Sequence, residues 1–433
     1  MQILRHTDPD FQKTISRLNR NAEPTAEVER SVREIVAKVR QEGDSALIAL
    51  GVQFGGPKLR ADQLRVTAAE IRTAKKRVDT ATKKAIATAH ANVRAFAQRS
   101  LRKNWSAKIA QGARVGERFD PFQRVGVSVP GGTAPLVSTA IMTCTFAQAA
   151  GVPEIVVTTP AGADGSVNAA LLHALDFAGA TEIYKIGGAQ AVAALAFGTA
   201  GIAPVRKIFG PGNAYVVEAK RQVFGRVAID LLPGPSEILV LADAGANAAW
   251  IAADLLAQAE HGKGSQIVFA TNSAKLLDAV QREIAGQLAQ LSRRTHLSGV
   301  LENDCTLVLV KSLTDAVSLA NAHAPEHVAI VAKKEGALAA KITSAGAIFL
   351  GGFSPVVAGD FVAGPSHTLP TGGSGKSFSG ITTDMFQRRT SIVKFDRSSL
   401  QKSLGAIATF SRVEGLDAHG RSAAIRFEKR KDG

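Results

Sequence analysis

Cysteine is scarce in this sequence. Cys144 and Cys305 are the only two, far apart and in uncharged or mixed surroundings, which excludes a disulfide framework and argues against a thiolate metal site. A reducing, cytoplasmic setting fits. Aromatic residues make up only 5% of the chain, too few to interleave with cations as a single-strand nucleic-acid platform requires. The opening run MQILRHTDPDF carries charge where a secretory signal needs an apolar core. Residues 126–153 lack charge altogether, but Pro130, Gly131, Gly132, Pro135 and many hydroxyl side chains mark them as buried backbone of a globular protein and not a membrane span. A G-x-G-x-x-G fingerprint that closes a strand and opens a helix is missing as well.

Acidic residues are outnumbered, 37 against 52 Lys and Arg, and the formal charge of +15 would suit a nucleic acid or an anionic membrane. The excess is spread thinly. It is dense only in AKKRVDTATKK (74–84), QRSLRKN (98–104) and RFEKRKD (426–432), which reads as a solvated basic surface with neither nucleic acid nor membrane as partner.

At 433 residues and 45% hydrophobic content, the chain can bury a large core divided over more than one domain. Residues 24–100 read as helices. Thr25 can cap a helix whose apolar positions Val28, Val32, Ile35, Val36 and Val39 keep helical spacing and stop at Gly43. Beyond them, β-branched runs alternate with Ala-rich or amphipathic segments: EIVVTT, EIYKIGG, EILVLAD, QIVFATN, TLVLVKS, HVAIVAK and AIFLGG. That alternation predicts parallel sheets covered on both faces, in two related α/β halves around 125–235 and 237–350.

Four pairs of residues could do chemistry. Gln258 and His261, three apart at a helix end, could meet one metal ion, or His261 could simply favour the helix C-terminus before Gly262. Asp360 and His367 lie in a Gly/Pro-rich loop after a strand, which suits a ligand group or an ordinary turn. Glu414 and His419 repeat the pairing of acid and imidazole near the C-terminus, or are simply a solvated pair. Glu326 and His327, adjacent after Pro325, could serve two proton transfers in one site, or face solvent at an element boundary. Glycines in GGAQAVAALAFG and KIFGPGNAYV stand at strand exits where backbone amides could approach a phosphate, or merely mark turns.

The segments VPGGTAPLVSTAIM, GGAQAVAALAFGT, FGPGN, GPSEILVLAD, AQAEH, APEH, GDFVAGPSHTLPTGG and EGLDAH follow in the order seen in histidinol dehydrogenases, and the resemblance covers nearly the whole chain. It implies an enzyme that oxidises L-histidinol to L-histidine by way of L-histidinal, with two NAD and one Zn2+ per subunit, at the end of histidine biosynthesis. A relative acting on another amino alcohol or diol, and a nucleotide-independent zinc hydrolase, are the competing readings. By matching motifs, Gln258, His261, Asp360 and His419 resemble the zinc ligands and Glu326 and His327 the acid–base pair. Ser236, His367 and Glu414 resemble substrate contacts, and Gln190 and Asn213 resemble NAD contacts. Ser128 stands where the family carries a tyrosine that touches NAD. Phe361, His323 and Phe146 also depart from the usual residues.

The fold the resemblance implies is two related, incomplete Rossmann-like α/β domains with helical N-terminal and small C-terminal segments. The expected division is an N-terminal segment 1–25, a first α/β domain from 26–125 and 237–380, a second from 126–236, and a segment 381–433 that crosses to the partner of a homodimer and completes its active site.

Overall fold

The computed structural model describes residues 1–18, 24–131 and 135–428. Residues 19–23 of the N-terminal segment, 132–134 of the charge-free stretch and 429–433 at the end of the basic tail lie outside them. The chain forms two compact units, one of Met1–Ser100 with Phe122–Phe386, the other of Leu101–Pro121 with Gln387–Gly433.

Two all-parallel sheets build the first unit. The five-stranded sheet runs Glu182–Tyr184, Glu154–Thr158, Arg124–Ser128, Lys207–Phe209, Ala228–Ile229 across its width. Numbered from its own first strand, Arg124–Ser128, that order is 3-2-1-4-5. The six-stranded sheet runs Gln2–Arg5, Cys305–Leu309, Gln266–Thr271, Glu237–Ala242, His327–Val331, Ala347–Leu350. Counted from Glu237–Ala242 it repeats 3-2-1-4-5, with the N-terminal strand added at one edge beside Cys305–Leu309. The two related α/β halves expected from strand spacing are therefore the same doubly wound motif used twice, each with a switch point beside its first strand.

Near-continuous apolar strands follow from burial on both faces. In Glu237–Ala242, Ile238, Val240 and Ala242 join one core cluster while Leu239 and Leu241 join the opposite one; Phe269 and Val268 divide in the same way. Helix Ala26–Glu42 starts where Thr25 accepts the Val28 N–H and ends at Gly43, and its Val32, Ile35 and Val39 pack on the five-stranded half with Leu195 and Ile208. Helix Val137–Ala149 buries nine of its residues, which accounts for its lack of charge. Among the described residues no helix is long and apolar enough to cross a membrane.

Arg124 ties the amino ends of three neighbouring strands together. Its guanidinium bonds Glu182 Oε1 at 2.7 Å and Glu154 Oε2 at 2.5 Å. The Arg124 hydrogen bond holds the Glu182 carboxyl at about 2, against an ordinary 4.5. A depressed carboxyl stabilises the fold above its unfolded value and loses that contribution as pH falls through the folded one. Glu182→Gln should therefore lower stability by about 1–2 kcal/mol at neutral pH, after allowance for solvent screening. The deficit in urea midpoint should shrink as pH drops below 4.5, whereas a pH-independent deficit would mean that the ion pair is not its source.

The second unit is an antiparallel sheet, Gln387–Lys394 against Arg114–Pro121 against Trp105–Lys108, followed by helices Arg397–Glu414 and Asp417–Ala424. Asp396 and Ser399 form a reciprocal cap at the start of the first helix. The two helices bury almost nothing: only Ser399 and Ser411 in the first and no residue in the second.

Candidate active site

Most of the singled-out polar residues of the first unit gather at the amino edge of the six-stranded sheet. Ser236 precedes strand Glu237–Ala242, Glu326 precedes His327–Val331, and Gln258 and His261 come just before Gln266–Thr271. Helix Ala248–Ala259 stops short of His261, so the pair does not share a continuous helix as its spacing suggested. The His261 N–H instead bonds the Gln258 carbonyl at 3.2 Å and keeps the two residues within one turn. Asp360 and His367 reach the same place from the segment after Ala347–Leu350.

Local backbone explains why Glu326 and His327 leave a helix there. Helix Leu313–His323 ends at Ala324, whose φ of 49° makes it the one non-glycine with positive φ among the described residues. Pro325 then forbids helix continuation, and the left-handed turn at a residue with a Cβ costs on the order of 1 kcal/mol or more. The next two side chains fasten onto a single residue of the adjacent strand. Glu326 Oε2 accepts the Glu237 N–H at 2.9 Å, and His327 Nδ1 lies 2.9 Å from the Glu237 carbonyl oxygen. A carbonyl only accepts, so Nδ1 carries the hydrogen and Nε2 keeps its lone pair.

That lone pair faces the rest of the cluster, with Nε2 3.9 Å from Asp360 Oδ1, beyond hydrogen-bond reach. Nδ1 also lies 3.6 Å from Glu326 Oε2, too long to compete with the carbonyl. Burial pushes the Glu326 carboxyl up to about 7, although Ser236 Oγ donates to it at 2.6 Å and the Glu237 N–H opposes the shift. Burial lowers His327 against the pull of Asp360, which leaves a neutral imidazole at physiological pH.

Asp360 is raised to about 6, by burial first, while His327 draws it back. His261 is exposed at the surface, yet desolvation by the protein packed around it and then His327 hold its imidazole below the usual range. His367, pushed down to about 4 by burial, is fixed at both nitrogens: Nδ1 3.1 Å from the Asp360 carbonyl and Nε2 2.8 Å from Thr139 Oγ1. The Gln258 amide donates to Ser236 Oγ at 2.8 Å, which leaves its carbonyl oxygen outside that bond. An amide oxygen, an imidazole and a desolvated carboxylate form an oxygen and nitrogen donor set that fits a borderline divalent cation, and all three would bind in the deprotonated forms a metal needs. Among the described residues no group of three or more His, Cys, Asp or Glu side chains stands at metal-binding spacing. The subunit's own set has two such side chains and one amide.

Gln190, Asn213 and Ser128 stand at the opposite kind of edge, the carboxyl ends of the five-stranded sheet. Ser128 ends the central strand, and Gln190 and Asn213 follow Glu182–Tyr184 and Lys207–Phe209. Gln190 and Asn213 line a cavity of about 470 Å3 together with Lys185, Gly187, Gly188 and Tyr215. Helix Gly188–Phe197 opens into it with no side-chain cap, so its first amides remain available to an anion. The start of helix Ala214–Val223 is closed by Asn213 Oδ1, which accepts from Tyr215 and Val216, and the Asn213 amide NH2 is the end left for a ligand.

Glu414 and His419 belong to the second unit, where both line a cavity of about 440 Å3 with Phe410 and Leu416. Two residues that motif reading had not singled out serve the first-unit site, Glu237 and Thr139. A carboxylate opening the otherwise apolar run EILVLA was a visible signal for Glu237; nothing in VSTAIM distinguishes Thr139. Cys144 and Cys305 are buried, and burial pushes both thiols up to about 12, which removes them as nucleophiles. Neither thiol should react with a disulfide reagent in the native protein at neutral pH, and both should react on unfolding. Native labelling would contradict the packing around them.

Residues 18–427 match the protein-family model described as histidinol dehydrogenase. Histidinol dehydrogenase of Geobacillus kaustophilus is 44% identical over 405 residues, 94% of this chain and 95% of that one. The Bradyrhizobium diazoefficiens histidinol dehydrogenase is 44% identical over 424 residues, 98% of each. The crystal structure of histidinol dehydrogenase from Elizabethkingia anophelis superposes with a TM-score of 0.94 at 34% identity, covering 98% of both chains.

Proposed function

This chain belongs to the histidinol dehydrogenase family, a family of NAD-dependent oxidoreductases, and on that premise we propose that it oxidises L-histidinol to L-histidine through L-histidinal, two NAD per histidine, with zinc at the site. The observation that carries this reading is the grip of Glu326 and His327 on Glu237. It sets one neutral imidazole lone pair and one carboxylate side by side in a desolvated pocket. His327 Nε2 takes the alcohol proton in the first oxidation. Glu326 takes a proton from the water that adds to the aldehyde before the second, and Ser236 and the Glu237 N–H steady its charge.

Gln258, His261 and Asp360 would hold the zinc together with His419 of a second copy. Zinc supplies a Lewis acid that orients the amino alcohol, and NAD accepts the hydride. His367, held by Thr139 and the Asp360 carbonyl, and Glu414 of the second copy would contact the substrate, the carboxylate meeting its ammonium group. Gln190, Asn213 and Ser128 would contact NAD, with the uncapped amides of helix Gly188–Phe197 toward its pyrophosphate. A homodimer is supported by the second unit itself: Phe410 is 66% and Val413 69% exposed, on helices that bury almost nothing. A small unit with so little core of its own needs a partner surface. Two free, buried thiols fit a reducing cytoplasm.

NADH production from L-histidinol by the purified protein, with and without a chelator, tests the reading. Two NADH per histidine, abolished by chelation and restored by zinc, is the expected result. No NADH from the zinc-loaded protein would overturn the substrate assignment, and chelator-insensitive turnover would overturn the metal. His261→Asn should lower bound zinc per subunit, because a lost ligand weakens a four-ligand site. Unchanged zinc would remove His261 from the set.

A further inference from the structure

Lys220 and Asp230 form an ion pair with no solvent exposure at all, and nothing in the chemistry above uses it. Lys220 comes from helix Ala214–Val223 and Asp230 from just beyond the edge strand Ala228–Ile229. Both ends of the pair close on the backbone of one residue, Gly210. The Gly210 N–H donates to Asp230 Oδ2 at 2.8 Å, and Lys220 Nζ donates to the Gly210 carbonyl at 3.0 Å. Asp230 is anchored in turn by the Leu231 N–H at 2.6 Å.

Gly210 is where the sheet needs such a hold. It follows strand Lys207–Phe209 at the switch point, with φ of +113°, and a Cβ there would stand 2.1 Å from the Ser128 carbonyl oxygen. The turn 210–213 is thus pressed against the end of the central strand, where no ladder partner remains for its amide and carbonyl, and the ion pair supplies both. A buried ion pair is weak support for stability, since apolar residues of the same volume often do as well or better. Its advantage is directional: it fixes where the peptide of Gly210 lies, and three residues on, where Asn213 enters the cavity.

We propose that Lys220 and Asp230 are positioning residues for the dinucleotide, holding the 210–213 turn in the geometry that Asn213 and the Ser128 strand end present to it. The inference rests on the reading of that cavity as the NAD site. Binding of NAD to the zinc-loaded protein, measured by calorimetry alongside KM and kcat, separates the two. The Lys220→Met/Asp230→Asn variant removes both charges at nearly constant volume, and Asn213→Ala tests the cavity directly.

The expected result is a double variant that still folds and unfolds cooperatively, with Kd and KM for NAD raised about tenfold, and kcat and the KM for histidinol within about twofold of the unmodified protein. If Asn213→Ala weakens NAD binding but the double variant does not, the ion pair serves folding alone and the proposal falls. If neither variant moves NAD binding, the cavity reading itself fails and takes the proposal with it. Should the double variant not fold, Lys220→Arg, which keeps the charge but cannot place the same donor on Gly210, is judged by the same criteria.

Discussion

Replacing His327 by asparagine is expected to lower the rate of histidinol oxidation by roughly 10²- to 10⁴-fold, the range a positioned general base contributes. Asparagine is chosen because its amide NH2 can still donate to the Glu237 carbonyl, as Nδ1 does at 2.9 Å. The strand contact survives, and only the lone pair at Nε2 is lost. Zinc content and NAD affinity should stay near those of the unmodified protein, which separates a missing base from a collapsed site. Oxidation of supplied histidinal should suffer much less than oxidation of histidinol. A variant that turns over histidinol at full rate would remove His327 from the proton transfer.

Glu326→Gln should produce the complementary defect. The glutamine oxygen can accept from Ser236 and from the Glu237 N–H as the carboxylate does at 2.6 and 2.9 Å, so the geometry is conserved while the basic group is gone. Histidinal oxidation should fall by about 10²- to 10⁴-fold and become the slow step, with the alcohol stage less affected. Single-turnover measurements with histidinol and with histidinal distinguish the two stages. Normal oxidation of histidinal by this variant would exclude Glu326 as the group that activates water. Because burial raises Glu326 to about 7, loss of its charge should leave the melting temperature unchanged or slightly higher.

The Glu326 and His327 cluster lies at the amino edge of one parallel sheet, and the cavity lined by Gln190 and Asn213 at the carboxyl edge of the other. Open α/β sheets usually bind ligands outside the carboxyl ends of their strands, which is where the five-stranded half places Ser128, Gln190 and Asn213. The six-stranded half departs from it. Its candidate site is assembled from residues that enter strands, as Ser236 and Glu326 do directly before Glu237–Ala242 and His327–Val331. The Thr139 contact to His367 then joins a helix of one half to the loop of the other.

Several of these features were legible in the residues alone. The Thr25 cap, the spacing of Val32, Ile35 and Val39, and the seven β-branched runs depend on interactions within a few residues, where period and capping chemistry decide the outcome. Adjacent Glu326 and His327 after Pro325 were equally visible. Glu237 was visible too, as the charge that opens EILVLA, but its partnership with them was not: it lies about ninety residues away and takes both side chains on its backbone.

By itself, then, the sequence determined the element types, the two α/β halves, the absence of a thiol framework and, through eight ordered motifs, the family. Only the tertiary structure decided which strand lies beside which, as when Gln2–Arg5 joins Cys305–Leu309 and Gln387–Lys394 joins Arg114–Pro121. It also decided which lone pair of His327 is free, and that Lys220 and Asp230 meet on Gly210. The physical reason is one of range. Periodicity and caps are set by neighbours along the chain, whereas strand order, desolvation and the partners of buried polar groups exist only once distant segments have packed together.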